Sequence, residues 1–95
     1  AMPIRQKVQS DRARQSIHLN WEWPNNLLNR NLVKKITILR WDYKVLGEPT
    51  LKKEIPPEKI EYSDDEINPE TSYTYRVQAI DDKGQILFGD QIEVE

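Results

Sequence analysis

The chain has 95 residues, 37% of them hydrophobic and 32% charged, with a formal net charge of -2 and a sequence pI near 5.5. That is the size of one domain with one modest core, and it has no basic excess to hold a phosphate backbone, which argues against a nucleic-acid partner. There is no cysteine and one histidine, which excludes disulfides and thiolate metal sites and is expected to leave no histidine metal cluster and no His-containing triad without a second chain.

The organising signal along the chain is alternation with period two, the mark of strands with one buried face. Ile4 to Val8 is read as a first edge strand. Ile17-His18-Leu19-Asn20-Trp21-Glu22-Trp23 places large apolar residues at every odd position and polar ones at every even position. A helix would scatter Ile17, Leu19, Trp21 and Trp23 around its circumference. Pro24 ends the ladder by removing a donor. Asn25 to Lys35 holds Leu27, Leu28, Leu32 and Val33 among polar residues and is read as a loop with room for a helical turn. Ile36-Thr37-Ile38-Leu39 is β-rich and can run on through Trp41 and Tyr43. Gly47-Glu48-Pro49 marks a turn. The tracts Lys52-Lys53-Glu54 and Glu58-Lys59 mix signs and read as solvated edge residues that discourage edge-to-edge pairing. Pro56 to Lys59 is read as a loop, and Ile60-Glu61-Tyr62 as a short strand. Tyr73-Thr74-Tyr75-Arg76-Val77-Gln78-Ala79 alternates again. Asp81-Asp82-Lys83-Gly84 should open a hairpin, with Gln91 to Glu95 as the returning strand. No apolar run approaches the length of about 20 residues needed to cross a bilayer, and no signal peptide is visible. Short strands, turn signals and no long helix predict an all-β sandwich or barrel.

With the elements placed, the sequence resembles a fibronectin type III domain. The motif lies in Ile67-Asn68-Pro69-Glu70-Thr71-Ser72-Tyr73, followed by Tyr75, Val77 and Ala79 at inward positions. The family carries an apolar residue, a proline two on, a threonine two further and a tyrosine two beyond. Ile17-x-Leu19-x-Trp21-x-x-Pro24 is similar to its second strand, with Trp21 as the core tryptophan. Ile36 to Arg40, Glu61-Tyr62-Ser63-Asp64 and the Asp81 to Gly84 turn look like bacterial-type members. The chain departs from the family pattern at Glu70, where a glycine is usual, and at Ile36, where an aromatic is usual. The resemblance implies an immunoglobulin-like β-sandwich of about seven antiparallel strands in two sheets over residues 4–95. Residues 1–3 look like a vector remnant or linker. It also implies a tyrosine corner, in which the Tyr73 hydroxyl bonds backbone a few residues upstream. Trp21, Tyr73, Tyr75 and Val77 are expected to be structurally decisive.

Candidate sites are sparse. Asp64-Asp65-Glu66, Asp81-Asp82 and Asp90 could offer oxygens to a hard cation, but their spacing fits no EF-hand loop, and they read as turn acids, with Asp64 bonding backbone. His18 lies on the face opposite Trp21 and has no partner near it in sequence, so neither catalytic residues nor a metal nor any other cofactor is expected. Ser10, Ser16, Ser63 and Ser72 lack a nucleophile-elbow context. Trp41 and Tyr43 are candidate outward aromatics, with Arg76 expected to cover Trp41. The loop after the second strand and the loop before the last strand are expected to meet at one pole. That pole brings Leu27, Leu28 and Leu32 towards Ile86, Leu87 and Phe88. Leu27, Leu28, Leu87 and Phe88 are candidates for partner binding, and the favoured alternative is that the two loops cap the core against each other.

The expected function is a non-catalytic spacer or protein-interaction module in a larger, exported bacterial protein. The alternative is a carbohydrate-associated accessory domain of a secreted polysaccharide-degrading enzyme. Expected partners are neighbouring domains of the parent protein, another protein or a polysaccharide, without nucleic acid and without membrane insertion. Location outside the cell, at its surface or in the periplasm is implied by the resemblance alone.

Overall fold

A computed structural model describes residues 5–11, 16–22 and 32–94, with side chains from 16 onward. Among the described residues the chain forms seven strands: β1 (Arg5–Asp11), β2 (Ser16–Glu22), β3 (Lys35–Asp42), β4 (Leu51–Ile55), β5 (Glu61–Asp64), β6 (Tyr73–Ile80) and β7 (Ile86–Val94). Every strand pair is antiparallel. One sheet has the order β1-β2-β5 and the other β4-β3-β6-β7. Two antiparallel sheets packed face to face make the predicted sandwich. No helix among the described residues is long and apolar enough to cross a membrane.

The alternation in β2 becomes burial. Ile17, Leu19 and Trp21 are buried, and His18 and Asn20 are half-exposed on the other face. They meet Ile36 and Ile38 of β3, and Tyr73, Tyr75, Val77 and Ala79 of β6, in one core cluster. Each of the larger apolar side chains contributes about 1.5–3 kcal/mol through removal of apolar surface from water. Trp21 keeps its polar edge satisfied by donating Nε1–H to the Lys59 carbonyl at 3.1 Å, as a buried indole must. Strand β6 lies between β3 and β7 and is buried on both faces at Thr74 and Ile80.

The turns follow their residues. Asp81 Oδ1 accepts the N–H groups of Lys83 and Gln85, an Asx arrangement that leaves Gly84 at φ 80°, where a Cβ is unfavourable. In the corner before β6, the Asn68 N–H donates to the Tyr73 hydroxyl at 2.7 Å. Asn68 Oδ1 accepts from the Glu70 N–H. Glu70 does not take a positive φ, so this turn has no need of glycine.

Residues 51–55, whose Lys52-Lys53-Glu54 were expected as solvated edge residues, form the edge strand β4 with those three side chains exposed. Several expectations are revised. Ile86, Leu87 and Phe88 belong to β7 rather than to a loop. Phe88 pairs with Ala79 and Ile86 with Ile80, which makes Leu87 the extra residue of a bulge. Phe88 is buried in the core and Leu87 packs half-buried against it, so Phe88 offers little surface to a partner. Trp23, Leu27 and Leu28 lie outside the described residues. Val33 is buried and Leu32 exposed.

Candidate functional site

One end of the sandwich is organised by Arg40. Strand β3 alternates Ile36, Ile38, Arg40 toward the core, and the guanidinium replaces the last apolar side chain of that row. It is buried, and so is its partner: Arg40 Nη1 donates to Asp64 Oδ2 at 2.8 Å, with the side chains 9% and 1% exposed. The Tyr75 hydroxyl donates to the same oxygen at 2.6 Å, and Asp64 Oδ1 accepts the Glu66 N–H at 3.1 Å. Both carboxylate oxygens are thus occupied, which is the condition for tolerating a buried charge. Arg40 also donates to the Glu66 carbonyl at 3.0 Å and to Thr50 Oγ1 at 3.3 Å, and lies over the Tyr73 ring at 5.0 Å. Burial works against the Arg40 charge, but the hydrogen bond and charge of Asp64 outweigh it and hold its pKa above the ordinary value. Burial, then the hydrogen bond and charge of Asp64, push the Tyr75 phenol far up, so it remains a donor.

This hub secures two loops. The loop 43–50 is bonded back through Thr50, whose N–H and hydroxyl both reach the Arg40 carbonyl. It is also held by the Trp41 Nε1–H donated to the Gly47 carbonyl at 3.0 Å. Gly47 takes φ 70° there. Tyr43 takes φ 69° without being glycine. The Lys44 N–H donates to the Asp42 carbonyl across it, an i to i+2 bond around a positive-φ residue, which is the strained form of the γ-turn. Strand β6 and the residue before it hold it in place: the Tyr43 N–H donates to Ser72 O at 2.7 Å and Thr74 Oγ1 donates to Tyr43 O at 2.6 Å. The second loop, 65–72, is fixed by Asp64, Arg40 and the Tyr73 corner.

A second polar cluster lies on the open face of the smaller sheet. Strand pairing sets His18 opposite Ser63. His18 Nδ1 is 2.7 Å from Ser63 Oγ, and Nε2 is 3.7 Å from Glu61 Oε2. One histidine therefore suffices to bring a serine and a carboxylate together, contrary to the expectation from composition. An open pocket of about 260 Å³ adjoins them, lined also by Ile55, Pro56, Lys59 and Tyr62. The chemistry stops short of a charge-relay triad. The carboxylate contact is longer than a hydrogen bond, and His18 and Glu61 are 31% and 62% exposed, so water competes for every contact. Burial, then the charges of Asp64 and Glu66, raise the pKa of Tyr62 beside it, which leaves the phenol neutral.

No family model and no curated protein matches the chain in sequence. Solved structures do match its shape. The FN5 domain of Drosophila Lar is 24% identical with a TM-score of 0.69, over 97% of this chain and 90% of that one. The fn3 domain of human contactin 1 is 20% identical with a TM-score of 0.69, over 96% and 71%. A pectate lyase of Pectobacterium carotovorum is 14% identical with a TM-score of 0.73, over 97% of this chain and 27% of that one. The fold is that of a fibronectin type III domain. The chain spans just over a quarter of the pectate lyase chains it matches.

In this fibronectin type III frame the residues singled out from sequence scatter. Trp21, Tyr73, Tyr75 and Val77 lie together in the core. Trp41 is 5% exposed with the Arg76 guanidinium 5.2 Å over its ring, so the outer face of the larger sheet offers no open tryptophan. Tyr43 is 64% exposed. The acids are spread out: Asp64 is buried, Asp81 holds a turn, and Asp90 Oδ1 accepts the Gln91 N–H. Among the described residues no group of three or more His, Asp or Glu is placed to hold a metal ion. The Arg40–Asp64–Tyr75 hub was missed, although its signal was present. Arg40 shares the inward parity of Ile36 and Ile38, and Asp64 that of Tyr62, so two opposite charges fell on the buried faces of facing strands.

Proposed function

We propose that this chain is a non-catalytic fibronectin type III module, comprising residues 4–95 behind a short remnant at 1–3. In this reading it acts as a spacer or protein-interaction domain of a larger, exported bacterial protein. One observation carries the proposal: nearly the whole chain superposes on single fibronectin type III domains, and equally on about a quarter of much longer enzymes. A unit of this shape serves as a complete domain in either setting. The exposed, water-competed His18 cluster supplies no sheltered chemistry that would argue for catalysis. The test is the size and location of the native protein, probed with an antibody raised against this chain. A species far above 11.3 kDa in the medium or envelope is expected. A species near that mass in the cytosol would end the proposal.

The pectate lyase likeness favours a second reading, a carbohydrate-associated accessory domain of a polysaccharide-degrading enzyme. Sugar rings stack on exposed aromatic faces; among the described residues Trp41 is covered and Tyr43 is the exposed ring. Retardation of the chain in gels cast with pectin or other plant polysaccharides tests this directly, and unretarded migration rejects it.

A further inference from the structure

The end of the sandwich organised by Arg40 carries an apolar group that the fold does not use. Tyr43, Val45 and Leu46 sit within four residues of one another and are 64%, 37% and 85% exposed. Single exposed apolar residues are ordinary, but a contiguous group marks an interaction surface. The loop is not a slack connection. Trp41, Thr50, Ser72 and Thr74 each bond it, and they hold Tyr43 in a left-handed conformation that costs about 1–3 kcal/mol for a non-glycine residue. Glycine would remove that cost if only the chain path mattered. The ring of Tyr43 is instead kept at the surface, with Lys44 Nζ 5.1 Å over it.

The two loops at this tip carry an excess of negative charge, with Arg76 over Trp41 and with Lys35 and Lys52 beside Glu48 as the nearby cations outside them. Residues 42–50 and 65–72, the two loops knitted together by Arg40 and Ser72, contain five exposed carboxylates, Asp42, Glu48, Asp65, Glu66 and Glu70, against one ammonium, Lys44. An acidic rim disfavours a second copy of the same surface and disfavours an anionic membrane. It favours a polypeptide whose own apolar patch is flanked by lysine or arginine.

We propose that the 43–50 loop, with its apolar tip Tyr43-Val45-Leu46 and the acidic rim of residues 42–50 and 65–72, is the docking surface of this module for a basic-rimmed polypeptide. The proposal deepens the interaction-module reading and rests on it. The loop's rigidity lowers the ordering cost of association, the apolar tip supplies affinity, and the rim supplies orientation and salt dependence.

The test is selection of a phage-displayed random peptide library on the folded chain, with the same selection on the Leu46→Asp variant. Leu46 is too exposed for that change to disturb the core, and an unchanged melting curve verifies this. Enriched peptides are expected to combine apolar residues with Lys or Arg. They should bind Leu46→Asp and Tyr43→Gly at least about tenfold more weakly, as loss of central contacts does, and should weaken further when salt is raised from about 0.05 M to about 0.5 M. Tyr43→Gly should bind poorly while melting no lower than the parent, since it relieves the left-handed strain. Peptides that bind Leu46→Asp as well as the parent would move the site elsewhere and leave the interaction-module reading standing. No enrichment on the parent, enrichment of acidic peptides, or sedimentation of the chain with neutral phosphatidylcholine vesicles through Leu46 would overturn the proposal, while the native size of the protein tests the underlying reading separately.

Discussion

Two polar clusters meet on strand β5, one around Asp64 that joins the two sheets and one around His18 that joins paired strands of one sheet, and they differ chiefly in their access to water. Asp64, Arg40 and Tyr75 sit between the sheets with side chains almost fully buried. Ser63 and Glu61 sit one and three residues before Asp64 along the same strand, β5, on its outer face, with His18 of β2 paired across from Ser63. Residues 63 and 64 are adjacent in sequence and opposite in fate, because successive side chains of a strand point to opposite sides. A carboxylate on the inward side must find partners or abolish the fold. A carboxylate on the outward side contributes little whatever it touches.

Removing Asp64 tests this contrast most severely. Asp64→Ala leaves the Arg40 charge buried and strips Tyr75 of its acceptor, and should cost about 3–5 kcal/mol by denaturant unfolding. Adding Arg40→Met should recover part of that loss, because the orphaned charge goes with it. A double variant no better than the single one would mean that packing around Asp64, rather than the unpaired charge, sets the cost.

Tyr75→Phe is the next step down. It removes one hydrogen bond to a charged group from a buried position and should cost about 1–3 kcal/mol. It should also change the response to alkali. The folded-state pKa of Tyr75 lies above its ordinary value of 10.0, first through burial and then through Asp64. Below pH 10 the folded and unfolded chains both hold the proton, and the contribution is complete. As pH rises beyond that, the unfolded chain releases its proton and the folded chain does not, so stability falls. Tyr62 is displaced in the same direction. Melting followed upward from about pH 9 should therefore decline in the parent, and decline less steeply in Tyr75→Phe. Equal slopes would remove Tyr75 from the account.

At the outer cluster the expected changes are smallest. His18→Ala, Ser63→Ala and Glu61→Gln should each stay within about 0.5 kcal/mol of the parent at neutral pH, as exposed pairs generally do. A loss above about 1.5 kcal/mol for His18→Ala would show that this face is covered in solution.

The same rule of alternating sides explains what could be read from sequence. Ile17, Leu19 and Trp21 announced their strand and its buried face without ambiguity, and the residues from Ile67 to Tyr73 announced the corner. The β6–β7 turn was legible in Asp81 and Gly84. Strand β4 was hidden because Lys52, Lys53 and Glu54 are exposed along an edge, where burial imposes no apolar pattern. Ile86 to Phe88 was placed in a loop because a bulge at Leu87 breaks the alternation that would have revealed a strand. The pairing of His18 with Ser63 joins residues 45 apart in sequence. It depends on register, which local pattern does not fix. The apolar loop after β3 was also hard to see, since Tyr43 followed the strand period and only its positive φ turns it out of the ladder.

The Arg40–Asp64 pair has a mechanical consequence as well. Strand β1 lies in one sheet and β7 in the other, so tension applied at the two ends of the chain enters through different sheets and tends to slide them past each other. Apolar side chains resist such shear weakly, since one contact is exchanged for another as they slip. A charge-assisted hydrogen bond crossing the plane of sliding is short and directional, and it must break before the sheets separate. Pulled as a tandem array in single-molecule experiments, the Asp64→Asn variant should unfold at lower force than His18→Ala, and equal forces would place the mechanical barrier elsewhere in the sandwich.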